Sequence, residues 1–538
     1  MNFRKVDKYL ITLTVLASLL VFPNLGNRNM GGDEIPTAIY SENILMHGYP
    51  LITKTYDMPY FEGIGTYKAD FGLSYYILAL FYLIFGISDF ISRFPFAIFG
   101  VLTIVSFYYF CKYFFRNKKK AFLCSLLLLS NYLFLTSVRQ ARYYSMVYFL
   151  TILLVFSYLK MLDGKGKFIF LPFVISNIIF FYMHVQLWFY VGFVIVLHFF
   201  IFKFNKRIFS RLAANTVLSI LAMVPWLIYW IFFLKGFSKA SYIFGPLRII
   251  FNFVLIYYYY FVIYFPITLL ILLVFVTSLR KVIIKKKFSF VFTMIFGLSI
   301  IYPLIAHNAA PQVRKLIITL PFFTILIFSI FYHLYHKNKS WKTASIILLI
   351  LFLTTNALAV FPLYPIKFLN LEQKIPFPVK YYSGFVDRSL NLRFETLAYF
   401  YETYSDYQSL DEGIIAGFEK EGILNCKCNV ITDMTGFNLN YHFIKRGLPQ
   451  RFYDFEKHKG NVSEFEVIMI NFEDNKEELV SMFNNTLNIS EYNHFIIDDY
   501  LETAWIDGIS PINRRIKKSD KGQIDVCYKK SLFEGKVS

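Results

Sequence analysis

FGLSYYILALFYLIFGI, residues 71–87, is apolar almost throughout and about as long as a membrane crossing. Its reading decides the topology of the chain. Counted as a span, it would put the basic run FRNKKK (115–120) outside the cell and invert every later basic loop. Read as a helix lying in the outer interface, or re-entrant, it leaves the basic loops on one side. These loops are Lys112–Lys120, Lys160–Lys167, Lys203–Arg211, Arg280–Lys287 and Lys337–Lys342. The positive-inside rule places them in the cytoplasm with the N-terminus. Eleven spanning helices follow, at roughly 9–24, 93–111, 121–137, 143–160, 168–183, 187–203, 212–234, 251–279, 289–306, 315–336 and 343–362. An odd number puts the C-terminal tail outside.

The composition agrees with this reading. The chain has 538 residues, 57% hydrophobic and 20% aromatic, and a mean hydropathy of +0.49, which excludes an ordinary soluble globular domain. Residues 1–362 carry 34 basic and nine acidic side chains, and residues 363–538 carry 21 and 26. The positive charge sits in short loops between apolar runs, the mark of membrane topology and not of a nucleic-acid partner. Arg4, Lys5 and Lys8 precede the first apolar run, and no small-x-small cleavage site follows it, so it reads as a retained anchor.

The chain therefore divides into a transmembrane part, 1–362, and a tail, 363–538, joined by the Pro-containing FPLYPIKF and KIPFPVKYY. In the tail NVITD, FEVIMIN and NHFIIDDY read as strands. FNLNYHFIKRG and NKEELVSMFNN read as helices, the first ending at Gly447. The fold class is a polytopic α-helical membrane protein with a small extracytoplasmic α/β domain. Sequons at Asn461, Asn484 and Asn488 fit an external tail. Cys426-Lys427-Cys428 is too tight for the usual zinc spacing. An oxidising exterior would permit a disulfide from Cys527 to one of the pair.

Of the nine acids in residues 1–362, seven lie between Asp33 and Asp89. The stretch NRNMGGDEIPTAIYSENILMHG (27–48) opens this group with Asp33 and Glu34. Asp33 reads as the N-cap of an interfacial helix from Glu34 to Met46, closed by Gly48. The helix N-terminus stabilises its charged form. The predicted outer face gathers further groups at helix ends. SVRQARYYS supplies Arg139 and Arg142 beside Tyr143, FYMHVQLW supplies His184, and AHNAAPQVRKLIITLP supplies His307 and Arg314. The bland roles are a capping aspartate, snorkelling arginines and a satisfied interfacial histidine. The chemical reading is a carboxylate base for an acceptor hydroxyl and arginine forks for a phosphate. A substrate with a phosphate at the membrane surface and a long apolar tail would use this set. A transporter or flippase of lipid-linked saccharides, or a non-catalytic assembly protein, stays open. The first predicts repeat symmetry or charge near the bilayer midplane; the spans here are almost free of acids.

MGGDEIPTAIYSENILMHGYP resembles the Asp-Glu first-loop motif of the GT-C fold membrane glycosyltransferases, nearest the protein O-mannosyltransferase, aminoarabinose transferase and RgtA-like group. IFGISDFISRFPFAIFG, TSVRQARYYSM, FFYMHVQLWFYV and PQVRKLIITLPFF resemble later segments of that family, in order. The resemblance covers most of residues 1–340. The family's His-Pro-Pro-Leu reads KADFGLSYY here, with Lys68 and Asp70 in its place, and its second-loop acid is Gln140. No Trp-Trp-Asp-Tyr-Gly motif occurs, which argues against the oligosaccharyltransferase branch. The resemblance implies transfer of one sugar, with inversion, from a polyprenyl-phosphate carrier to an extracytoplasmic acceptor. On that basis Asp33 takes the acceptor proton and Glu34 supports it. Arg142, Arg314 and Arg139 hold the lipid phosphate, and His184, His307, Tyr143, Lys68 and Asp70 meet the acceptor or sugar. No obligatory divalent metal is expected, because Gln140 supplies no second charge. The expected location is the plasma membrane, with membrane lipids, a lipid-linked donor and the acceptor as partners.

Overall fold

The computed structural model describes residues 7–26, 30, 34–50, 72–164, 170–202, 206–233, 288–291, 293–295, 297–298, 318–336, 339–358, 410–432, 436–454, 464–471, 491–500 and 522–534. The chain forms two units. The first comprises Met1–Gly26, Asp70–Thr403 and Asp507–Pro511. The second joins Asn27–Ala69 to Tyr404–Ile506 and Ile512–Ser538. The segment that carries Asp33 thus falls with the tail.

The first unit is helical. Its described helices are α1 (Lys8–Val21), α3 (Leu73–Phe85), α4 (Asp89–Phe115), α5 (Lys118–Leu129), α6 (Tyr132–Val138), α7 (Tyr144–Leu162), α8 (Phe170–Met183), α9 (Val185–Phe202), α10 (Lys206–Phe233), α11 (Leu320–Tyr335) and α12 (Lys339–Leu358). The segment before α3 supplies α2 (Glu34–His47) to the second unit. Among the described residues, Asp89–Phe115, Tyr144–Leu162 and Ile208–Pro225 are long and apolar enough to cross a membrane by themselves. Lys8–Val21, Phe170–Met183, Val185–Ile201 and Leu320–Tyr335 are shorter apolar helices. Hydroxyls on them fold back onto their own backbone: Thr14 Oγ1 donates to the Leu10 carbonyl, Ser176 Oγ to Pro172 and Ser329 Oγ to Ile325. That satisfies polar atoms where water is scarce.

Local caps explain the helix ends. Ser88, Asn117 and Asn131 accept from the amides of Ile91, Lys120 and Phe134, at the starts of α4, α5 and α6. The last of these breaks the expected span 121–137 into two helices. The apolar run is continuous there, but Asn131 offers a cap and a new start. The expected helix 251–279, most of 289–306 and the linker from 363 lie outside the described residues.

Two ends of the helical unit can be told apart. At one, Asp7 Oδ2 accepts from the Tyr108 hydroxyl at 2.9 Å and Lys112 Nζ at 3.2 Å, with Lys118 Nζ at 3.5 Å. Burial alone would raise the Asp7 carboxyl pKa; these partners outweigh it and hold the pKa below the usual range. Tyr113 donates to Asp163 at 2.6 Å at the same end. At the other, Arg93 Nη1 donates to the Leu25 carbonyl at 2.8 Å, and Arg139 reaches the same turn. So α1 ends where α4 begins. The thirteen-residue α3 between them, about 20 Å long, packs Tyr82 on Ser92 and Phe81 on Phe94, at the start of α4.

The second unit holds a five-stranded mixed sheet, order β2-β1-β3-β5-β4. Its strands are β1 (Asn429–Thr432), β2 (Arg451–Asp454), β3 (Val467–Asn471), β4 (Tyr492–Tyr500) and β5 (Gly522–Lys529). β1 is parallel to β2 and β3, and β5 is antiparallel to β3 and β4. Helices α13 (Leu410–Lys420), α14 (Gly436–Lys445) and α15 (Ser531–Glu534) complete it. The core is built from Ile414, Phe418, Val430, Phe443, Phe452, Val467 and Val526. α14 ends as expected at Gly447: φ is +71°, the Gly447 amide bonds to Ile444 and the Leu448 amide to Phe443. The expected helix NKEELVSMFNN and the three sequons lie outside the described residues.

Candidate active site

The cationic candidates belong to the first unit. The turn between α6 and α7, residues 139–143, carries Arg139, Arg142 and Tyr143. The Arg142 guanidinium carbon lies 5.3 Å from the Tyr143 ring centroid and 5.8 Å from that of Tyr144. Stacking of this kind orients the planar fork. The Tyr143 ring meets His184, at the α8–α9 junction, edge-on at 4.4 Å. The Leu187 amide donates to His184 Nδ1 at 3.3 Å, so that nitrogen carries no proton. A neutral His184 therefore presents Nε2–H as a donor. The structure brings Arg142, Tyr143 and His184 together.

Arg139 is engaged differently. Its Nη1 donates to the carbonyls of Val21 and Pro23, both at 2.8 Å, and its Nη2 to Asn24 at 3.4 Å. It caps the C-terminal end of α1, where carbonyls lack intrahelical partners.

The carboxylate candidates belong to the second unit. Glu34 opens α2 and is 3% exposed. α2 is enclosed by protein from Glu34 to Asn43, apart from the half-buried Pro36, and does not rest one face on a surface as an interfacial helix would. Ser41 and Asn43 bond back to the carbonyls of Thr37 and Ile39. Gly48 closes the helix with φ +76° and an amide bond to Ile44. Glu42, two turns after Glu34, is a buried carboxylate that sequence reasoning passes over; it is 2% exposed and accepts from the Tyr441 hydroxyl at 3.5 Å. The signal was its eight-residue spacing from Glu34, which shares a helix face. Asp33, Lys68, Asp70, His307 and Arg314 lie outside the described residues, as do Asp57 and Glu62.

Other polar groups have structural partners. His198, fully buried on α9, bonds to the Tyr158 hydroxyl at 2.9 Å and to Ser289 at 3.2 Å, tying three helical segments together. The five cysteines are free thiols. Burial, with Cys426 and Glu466 nearby, pushes the Cys428 thiol pKa up, so it stays protonated.

The helical arrangement defines a polytopic α-helical membrane protein with the GT-C fold. Structures of ArnT, the aminoarabinose transferase, from Cupriavidus metallidurans match this chain at 12% identity. The form bound to undecaprenyl phosphate matches with a TM-score of 0.52, covering 98% of this chain and 99% of that one. The apo form gives 0.54, covering 97% and 98%. An oligosaccharyltransferase from Archaeoglobus fulgidus gives 0.45 at 13% identity, over 88% of this chain and 70% of its own. No protein-family model and no curated protein matches the sequence.

Proposed function

We propose that this chain is an inverting glycosyltransferase of the plasma membrane. It moves a single sugar from a polyprenyl-phosphate donor, of the dolichyl or undecaprenyl type, to an extracytoplasmic hydroxyl on a protein, glycan or lipid. The observation that carries the reading is the Arg142–Tyr143–His184 cluster, in a chain whose fold follows ArnT over nearly its full length. The undecaprenyl phosphate bound to that ArnT suggests the donor class.

In the proposed reaction the acceptor oxygen attacks the anomeric carbon opposite the phosphate. The sugar–oxygen bond to phosphate breaks, and its electron pair leaves with the lipid phosphate. The acceptor proton passes to the Asp33 carboxylate, with Glu34 orienting the acceptor. Arg142 and Arg314 hold the phosphate as its charge grows. Tyr143, His184, His307, Lys68 and Asp70 contact sugar or acceptor. Arg139 serves by fixing the turn that carries Arg142. No divalent metal is obligatory. The proposal includes an eleven-span topology, with the N-terminus cytoplasmic and the tail outside; α1 ending where α4 begins supports the reading of residues 71–87 as a helix that does not cross.

The test is purified protein with a polyprenyl-phosphate sugar and excess chelator. Asp33→Asn should keep fold and donor binding and lose about 10²-fold or more in turnover, the scale of a general base. An active Asp33→Asn enzyme would remove the base assignment. Activity lost to chelator and restored by a divalent ion would remove the metal-free mechanism.

A further inference from the structure

Three consecutive residues of α14 do three different jobs. Asn440 pairs its side-chain amide with both backbone groups of Phe452, at 2.7 and 2.9 Å, and so fastens the helix to edge strand β2. Tyr441, fully buried, donates its hydroxyl to Glu42 on α2. His442, 6% exposed, has Nε2 2.6 Å from the carbonyl oxygen of Met30. A carbonyl only accepts, so Nε2 carries the proton. Met30 stands three residues before Asp33 and is itself buried. Met30 and His442 are 412 residues apart in sequence.

We propose that His442 is a positioning residue for the Asp33–Glu34 segment. Its bond to Met30 fixes the backbone just ahead of the carboxylates, while Tyr441 holds the same segment beyond them at Glu42. Gly31 and Gly32 lie between Met30 and Asp33. An anchor on the N-terminal side of α2 bears on rate, because a misplacement of about 1 Å can cost about 10²-fold. The tail is then a working part of the transferase: its sheet, through Asn440 and α14, sets where the carboxylates stand. The inference rests on the transferase reading for its effect on rate, but not for the contact itself.

Two measurements on the full chain in lipid nanodiscs test it. The first compares wild type, His442→Met and His442→Gln in sugar transfer from a polyprenyl-phosphate donor. Met removes the donor group at similar length. Gln can place an amide N–H where the imidazole Nε2–H lies. His442→Met should lose about tenfold or more in kcat with an unchanged donor KM, and His442→Gln should recover most of it. The second follows amide hydrogen exchange. His442→Met should speed exchange in residues 34–43 and leave the strand amides of Val430 and Ile468 protected; His442→Gln should match wild type. Wild-type kcat in His442→Met, or a folded His442→Gln as slow as His442→Met, would overturn the proposal. So would loss of protection across the sheet as well, which would make His442 a folding residue. If wild-type protein transfers no sugar, the functional reading fails, and the exchange pattern alone decides the contact.

Discussion

Arg139 and Arg142 are three residues apart and have different work. Arg139 is committed to carbonyls of residues 21–24, whereas Arg142 stacks on Tyr143 and Tyr144. Arg139→Gln should therefore destabilise the protein by about 2 kcal/mol or more, since hydrogen bonds from a charged group contribute roughly 1.5–3 kcal/mol each. It should lower the melting temperature and leave the donor KM near wild type in the folded fraction. Arg142→Lys should do the reverse: a point charge replaces a fork, donor KM rises, and melting stays within about 1 °C. Thermal unfolding beside donor kinetics checks both, and a weak-binding, thermally normal Arg139→Gln would return that residue to the phosphate. Arg142, Tyr143 and His184 were legible in the sequence because each stands at the mouth of an apolar run. The engagement of Arg139 was not, because its partners are over 110 residues away. The same distance hid His442, whose FNLNYHFIKRG context reads as an ordinary amphipathic helix.

α4 and α6 meet where a side chain is missing. A Cβ on Gly100 would lie 2.7 Å from Val138 Cβ, closer than atoms of two packed side chains come. Gly100→Ala should cost about 1–3 kcal/mol by overpacking, despite the higher helix propensity of alanine. Val138→Gly removes that Cβ together with both methyls, so the double variant should lose less stability than the two single changes sum to; a purely additive pair in thermal unfolding would exclude this contact as the cause. Such close approach leaves no mark in hydropathy. Helices of the bundle were legible from length and apolarity, and their ends from caps such as Ser88 and Asn117. The break at Asn131 was not, because LLLLSNYLFL reads as one run. In the tail, β1, β3 and β4 stand out as apolar runs. β5 is not among the strands read from the sequence and owes its place to pairing with β3 and β4. β2 is four residues long and owes its place to β1 and to Asn440.

At the scale of the molecule the question is again residues 71–87. α1 ends beside Arg93, and α4 starts there. A single crossing between them would separate those two points by the thickness of a bilayer, about 30 Å of hydrocarbon. Arg93 donating to the Leu25 carbonyl at 2.8 Å leaves no such gap, so α3 does not cross by itself. Its thirteen residues also fall short of the length a crossing needs. Exposed Leu80, Leu83, Ile84 and Phe85 give it an apolar face suited to the interface. In the proposed topology the end with Asp7, Lys112 and Lys118 faces the cytoplasm, in keeping with the charge rule. In a variant freed of the native cysteines, Lys118→Cys should resist a membrane-impermeant maleimide in intact cells and react once they are permeabilised. Lys420→Cys, exposed on α13, should react in intact cells. The two sites probe different claims. Labelling at 118 from outside would overturn the cytoplasmic placement of this end and the topology built on it. Protection at 420 together with protection at 118 would instead keep the bundle's orientation and require an odd number of crossings after the one that α5 opens, with one of the spans expected between 251 and 362 lost from the count.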